Sequence, residues 1–320
     1  MFSGYLAIFA TVLLWSGFFL SLRGGAISAL TPADMALTRF VIPAIVLLPI
    51  TYRARYKILS IPKRYFLGMV VGGGLPYLLI AGLAMNYATV SDGSALVPGT
   101  LPLFVSAIAI MFYSQPLSAH RKLGLGLIVI GITLFLWTSF TDNHASNTLQ
   151  GHLLFLLGSI MWAVFTISAR VTQLPALVCA GVISLFSTFA LVMLITFNGL
   201  DSALFPFNSD QTWIMTIKQW PFEELLGHLM IQGVGAGIIA SFTFLHAISV
   251  LGAERTAAFG SLTPVVATLL AIVIFGENPT LTTWCGLTII CLGSVIASNV
   301  FLRNDTSLSY KPPAYTKPSR

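Results

Sequence analysis

Charge is what this chain has least of: Asp, Glu, Lys and Arg make up only 8 % of its 320 residues, against roughly 25 % in an ordinary soluble domain. So few charged side chains cannot cover a water-facing surface, which excludes a soluble globular fold. Cysteine is scarce as well. Cys179, Cys285 and Cys291 all fall inside apolar stretches, which excludes a disulfide framework and leaves them as small apolar side chains rather than metal ligands. No Lys or Arg precedes the first apolar run; a cleavable signal peptide, for which Ala26 and Ser28 would supply the small residues, therefore gives way to a retained helix. The sequence also has no H-E-x-x-H, no G-x-S-x-G, no Walker loop and no pair of carboxylates in mid-span. An enzyme is not expected, nor is transport driven by the chain's own nucleotide hydrolysis, nor any cofactor or metal.

What the chain has instead is apolar length. It is 56 % hydrophobic with a mean hydropathy of +0.89, and a bilayer-spanning helix needs about 20 mostly apolar residues. Charged or Pro/Gly/Asn-rich points break it into ten such stretches, at about 4–22, 33–52, 65–86, 94–113, 123–140, 151–169, 176–197, 226–249, 256–275 and 282–302. The basic residues have a side. Arg53, Arg55, Lys57, Lys63, Arg64, Arg121, Lys122, Arg170, Arg255, Arg303, Lys311, Lys317 and Arg320 fall at one set of helix ends, leaving Arg23, Arg39 and Lys218 elsewhere. Asp34, Asp92, Asp142, Asp201, Asp210, Glu223, Glu224 and Glu277 fall at the other set. Positive charge marks the cytoplasmic side, so both termini are expected there, and lipid rather than nucleic acid accounts for the basic balance.

The ten stretches repeat. Residues 4–23 align without a gap on 151–170 and keep Gly4/Gly151, Leu6/Leu153, Trp15/Trp162, Phe18/Phe165, Ser21/Ser168 and Arg23/Arg170. Pro32 falls on Pro175 at an offset of 143. Residues 83–136 align on 245–298 at an offset of 162, with Pro102 on Pro264, Gly124 on Gly286, Gly131 on Gly293 and Asp92 on Glu254. With five helices per copy the second copy enters the bilayer from the far side, as Arg23 outside and Arg170 inside require. The expected fold is an all-α membrane protein of ten transmembrane helices, two inverted five-helix repeats around a central cavity, the usual build of a secondary transporter. The repeats run over 1–140 and 141–303; the rise in offset from 143 to 162 puts 19 extra residues at about 199–224, on the outer face. Trp213, Trp220, Asp210, Glu223 and Glu224 suit a surface-lying connector there, or a lid. Residues 304–320, with three prolines among polar residues, read as a disordered cytoplasmic tail.

Arg39 is the most unusual residue: it lies well inside the second stretch, its repeat position 182 is Val, and arginine at that depth is costly unless it faces a cavity or a partner. Its planar donors could receive a substrate carboxylate; snorkelling outward or pairing with Asp34 is the plainer reading. His246 could relay a proton or be a satisfied structural histidine. Asn86 and Gln232 need partners in hydrocarbon, and Trp15, Trp162, Tyr77 and Tyr87 could either pack or form an apolar pocket with polar tips. Arg39, Tyr77, Asn86, Trp162, Gln232 and His246 are the expected substrate-binding residues. Gly72, Gly73, Gly74 and Pro76 interrupt the third stretch and Gly233, Gly235 and Gly237 the eighth. Pro98, Gly99 and Pro102, with Pro264, break the fourth and ninth. Breaks at related points of two repeats suit either close packing or bending around a ligand. Asp92 and Glu254 open the fourth and ninth stretches as caps, as gates or as proton sites; these two with Pro98, Pro102 and Pro264 are the expected gating or coupling residues.

The pattern resembles the EamA-type branch of the drug/metabolite transporter superfamily. The resemblance rests on Trp15-Ser16-Gly17, the Pro32 to Arg39 stretch, and Gly252-Ala253-Glu254-Arg255-Thr256-Ala257 leading to Leu262-Thr263-Pro264-Val265, then Phe275-Gly276-Glu277 and Gly286 to Gly293. The first copy has Ser114-Gln115-Pro116 where the second has Gly276-Glu277-Asn278, so a family role for that glutamate applies only to Glu277. The resemblance implies a carrier with helices one to four and six to nine around a cavity and helices five and ten outside. The expected activity is alternating-access export of a small amphiphilic metabolite, such as an amino acid, across the cytoplasmic membrane. A passive channel, or a membrane-embedded enzyme or partner subunit, is the alternative. Protons and a second copy of the chain stay open as partners.

Overall fold

In the computed structural model, residues 1–141, 145–197, 199–205 and 220–298 are described, without the side chains of 138–141, 145–146, 253 and 254. Every regular element among them is helical. Eight helices are long and apolar enough to cross a membrane: Phe2–Ala26, Lys63–Ala84, Val90–Tyr113, Ala119–Trp137, Asn147–Thr172, Ala176–Thr196, Phe222–Leu251 and Arg255–Phe275. The other two expected stretches take different forms. The second divides into α2 (Pro32–Val46) and α3 (Leu48–Arg53), because Pro43 and Pro49 remove two consecutive-turn donors from its ladder. The last gives a helix of 17 residues, Leu281–Ala297, and the residues from 299 on lie outside the description. The expected tail and most of the 199–224 insertion lie there too.

The remaining elements are α1 (Phe2–Ala26), α4 (Arg55–Leu59), α5 (Lys63–Gly73), α6 (Leu75–Ala84), α7 (Val90–Leu96), α8 (Leu101–Tyr113), α9 (Ala119–Thr141), α10 (Ala145–Thr172), α11 (Ala176–Thr196), α12 (Phe222–His228), α13 (Ala240–Leu251), α14 (Ala253–Gly260), α15 (Thr263–Phe275) and α16 (Leu281–Ala297). Between α12 and α13 the backbone is a π-helix, Leu229–Ile239. Starts are written in the sequence. Thr31 and Asp34 form a capping box at α2, Thr89 and Asp92 another at α7, and the Thr280 hydroxyl accepts from the Thr283 N–H at α16.

Packing follows the small residues. α9 lies along α16, where a Cβ on Gly124 would stand 2.5 Å from the Ala297 nitrogen and one on Gly293 2.7 Å from the Gly124 oxygen. α10 lies along α5 and α6, and a Cβ on Gly72 would meet the Met161 oxygen at 2.3 Å. The same is true of α2 with the π-helix, where a Cβ on Gly233 would stand 2.6 Å from the Thr38 oxygen; α1 also packs along α13, and α2 along α11. Glycine is what allows these backbones to touch where lipid gives no hydrophobic drive to helix pairing. The glycine interruptions are used differently in the two halves. In the first, Gly74 (φ −103°, ψ −149°) ends one helix and starts the next, with the freed Leu75 N–H taken by the Ser187 hydroxyl. In the second, the helix continues through Gly233, Gly235 and Gly237 as a π-helix.

The loops sort into two ends. One carries Asp34, Asp92 and Glu277 and is called the acidic end; the other, with Arg53, Lys57, Arg121 and Arg170, is the basic end. At the acidic end Asp34 accepts from the Ser202 hydroxyl and from the Ala203 and Leu204 N–H groups. There too the Arg23 guanidinium donates to the Met85 carbonyl, Ser21 meets the His228 ring, and Glu277 binds the start of α7. At the basic end Lys57 donates to the Gln173 carbonyl.

Candidate functional site

Arg39 sits one residue past Thr38 on the side of α2 that meets the π-helix. Its guanidinium donates to the Gln232 carbonyl at 2.7 Å and lies 5.4 Å from the centre of the Phe18 ring. The Gln232 carbonyl lies within the π-helix, and a Cβ on Gly237 would come within 3.3 Å of the guanidinium and 2.6 Å of Pro43. Asp34, the partner a sequence reading offers, is taken up with Thr31, Ser202, Ala203 and Leu204 and makes no contact with Arg39. Among the described residues His152 lies within ion-pair distance of Asp92, a charged pair only when the ring is protonated. Arg39 therefore holds its charge in mid-bundle with a carbonyl and a ring but no carboxylate among the described residues.

The guanidinium opens on a cavity of about 90 Å³. Its wall is rich in aromatic rings, with Trp15 and Phe18 from α1, Tyr77 from α6 and Trp162 from α10; Pro98, between α7 and α8, and Thr263 of α15 also line it. Tyr77 and Trp162 pack with ring centres 4.9 Å apart, and Trp162 continues to Phe165 at 5.2 Å. Tyr77 is 3 % exposed. Two pairs on this wall are repeat partners: Trp15 with Trp162, and Leu101 with Thr263 at the offset of 162. An apolar cage with one cation, one phenol and a threonine hydroxyl can hold an organic molecule with an anionic head and an apolar body.

Three of the six expected binding residues, Arg39, Tyr77 and Trp162, thus share one wall. Gln232 acts from behind it: its carbonyl holds Arg39, while its fully buried amide donates to the Phe18 carbonyl at 3.4 Å. Asn86 is elsewhere, on a separate cavity of about 130 Å³ at the acidic end with Leu22, Met35 and Leu78. His246 is half-buried in α13 and touches no described cavity; its carbonyl accepts from Ser249. Of the expected gating residues, Pro98 lines the cavity, Pro102 lies in the first turn of α8 and Pro264 in that of α15. The Pro264 carbonyl faces the Ser94 hydroxyl. Asp92 caps α7 and faces His152, and the Glu254 side chain lies outside the described residues. Sequence reading missed His152 and the contact of Glu277 with Val90, since neither carries a local signal. Phe18 could have been found, because it repeats as Phe165.

With that geometry in place, comparison with known proteins is decisive for the family. The EamA-like transporter family matches over residues 2–137 and again over 149–299. The chain belongs to the EamA-like transporter family. It is therefore a multi-pass membrane transporter and not an enzyme. Among relatives, the uncharacterized inner membrane transporter YedA of Escherichia coli K12 is 25 % identical over 297 residues, 91 % of this chain and 89 % of that protein. The UDP-galactose/UDP-glucose transporter 4 of Arabidopsis thaliana is 27 % identical over 206 residues, 61 % of this chain and 54 % of that protein. A solved crystal structure of a protein 19 % identical superposes with a TM-score of 0.59, covering 92 % of this chain and 96 % of the other, a likeness of fold. This EamA-family member matches its family model once in each half, and the aromatic cage draws Trp15 from the first match and Trp162 from the second.

Proposed function

We propose that this EamA-family protein is an alternating-access carrier of the cytoplasmic membrane that exports a small amphiphilic metabolite bearing a carboxylate, such as an amino acid, with Arg39 as the carboxylate anchor. The observation that carries this reading is Arg39 itself. A guanidinium at mid-span costs about 2.5–3.5 kcal/mol on insertion scales, and this one faces a cavity with no acidic partner among the described residues. A carboxylate entering the cavity would complete the bidentate pair that arginine geometry favours.

The wider architecture in this reading is ten spans in two inverted halves, with α2–α3 and α16 as the two spans that fall short on length. Helix contacts support it. α1 packs on α13 and α15 as α10 packs on α5, α6 and α8, while α2 with α11 and α9 with α16 are self-paired, so exchanging the halves returns the same contacts. The basic end would be cytoplasmic by the positive-inside rule, in keeping with the inner-membrane description of YedA. A volume of about 90 Å³ is below the ~300 Å³ at which ligand pockets begin, which fits a contracted state of such a cycle.

In proteoliposomes loaded with an amino-acid and nucleotide-sugar panel, the transported solute should lose affinity about tenfold to a hundredfold in Arg39→Ala, as expected for a charged hydrogen bond worth ~1.5–3 kcal/mol. Arg39→Lys should recover only part of it, because the planar fork is lost. Normal transport by Arg39→Ala ends the carboxylate reading.

A further inference from the structure

A second, more polar cavity of about 210 Å³ lies at the acidic end, away from Arg39. Asp92, His152, Glu277, Thr89, Thr148 and Thr283 contribute to its wall. His152 comes from α10 in the second half and Asp92 from α7 in the first, and they meet at 3.5 Å, Nε2 to Oδ2. Both are buried, at 1 % and 7 % exposure. Asp92 Oδ2 is already shared with the N–H and hydroxyl of Thr89, and its Oδ1 makes no hydrogen bond to a described residue. Beside them Glu277, from the turn between α15 and α16, accepts from the N–H groups of Val90 and Ser91 and from the Ser91 hydroxyl. Both contacts cross between the halves, and both seize the same short element, α7.

We infer that His152 and Asp92 form a proton-binding pair that governs this mouth of the carrier. At 3.5 Å the contact is too long for a strong hydrogen bond, so its strength depends on charge. A proton taken from water in the cavity onto the ring creates an attraction to Asp92 that the neutral ring lacks. Four threonines on the wall, Thr89, Thr148, Thr280 and Thr283, give such water its partners. Charged His152 therefore holds α7 against α10 and keeps the acidic end shut; loss of the proton leaves Glu277 as the remaining clasp and lets the end open. Glu277 and Tyr87 share the wall, and Arg23 stands nearby on the Met85 carbonyl; Asp142 and His144 lie outside the described residues. Glu277 carries the same sign as Asp92 and reinforces the closed form when His152 is charged.

The inference rests on the carrier reading only in requiring that this end open, so it is tested without substrate. The protein with Cys179, Cys285 and Cys291 replaced by serine is spin-labelled at Asn86→Cys and Asn278→Cys, both exposed, in lipid nanodiscs. Dipolar broadening of the electron paramagnetic resonance line reports how near the two labels are. The broadened fraction should fall at least about fivefold, the low end of usual couplings, as the pH is raised from about 5 to about 8. His152→Gln and Asp92→Asn should each remove the pH dependence; two variants are used so that one failing to fold leaves the other as the test. A pH-independent line in the parent protein overturns the proposal, as does a pH dependence that survives either substitution. A failed Arg39 flux test with an intact pH response would overturn the carboxylate reading alone.

Discussion

At the scale of single residues, the two copies solve one turn with different chemistry. Ser114 and Gly276 are repeat partners, and both end their helices in the left-handed region, at φ 49° and 66°. Glycine adopts that conformation freely, while a side chain costs ~1–2 kcal/mol. Ser114→Gly should therefore raise stability by about 1 kcal/mol, read as a higher melting temperature of the purified protein in detergent, and Gly276→Ala should lower it by a similar amount. Equal effects from both changes would mean that the turns are not strained as their angles imply. This asymmetry is visible in the sequence as Ser114-Gln115-Pro116 against Gly276-Glu277-Asn278, but not its consequence. That Glu277 clasps the first turn of α7 depends on which loop lies beside it, and nothing local to position 277 encodes that.

At the scale of helices, the boundaries were largely legible because apolar runs, capping boxes and prolines act over a few residues. Thr31 with Asp34 and Thr89 with Asp92 start their helices as the T-x-x-D spacing requires. Glycine positions were legible as interruptions but not as kinds of interruption. Gly74 breaks its helix, whereas Gly233 to Gly237 pass through a π-helix that hands the Gln232 carbonyl to Arg39. The choice is set by what packs alongside, Ser187 in one case and Thr38, Pro43 and Arg39 in the other. The paired α9 and α16 offer the clearest test of packing. Gly124→Leu would drive side-chain atoms into the Ala297 and Gly293 backbones, and should cost about 1–3 kcal/mol by overpacking, measured by thermal unfolding. Gly126→Leu, at a position where an added Cβ would meet nothing within 4 Å, should cost little. Similar losses from both would place the pairing of α9 with α16 in doubt.

At the scale of the whole molecule, what the sequence could not reveal is which polar and aromatic residues of the spans converge. Arg39, Tyr77 and Trp162 are 123 residues apart in the chain at the extremes and meet only because α2, α6 and α10 do; Asn86 and His246 satisfy the same local criteria and end up apart from them. The cavity they form also makes a kinetic demand. At about 90 Å³ it is smaller than the ~150 Å³ that admits benzene in an engineered apolar cavity, so under the proposed carrier function a metabolite with an apolar body enters only after the halves separate. Association should then be limited by that opening. In stopped-flow experiments the fluorescence of Trp15 and Trp162, both on the wall, reports arrival of whichever solute most raises the melting temperature. The observed rate should level off as solute concentration rises, because opening precedes entry, and Trp162→Phe should keep the plateau rate while losing much of the amplitude. A rate that climbs linearly without limit would mean that the cavity admits its ligand as it stands, and the contracted state would then not lie on the transport cycle.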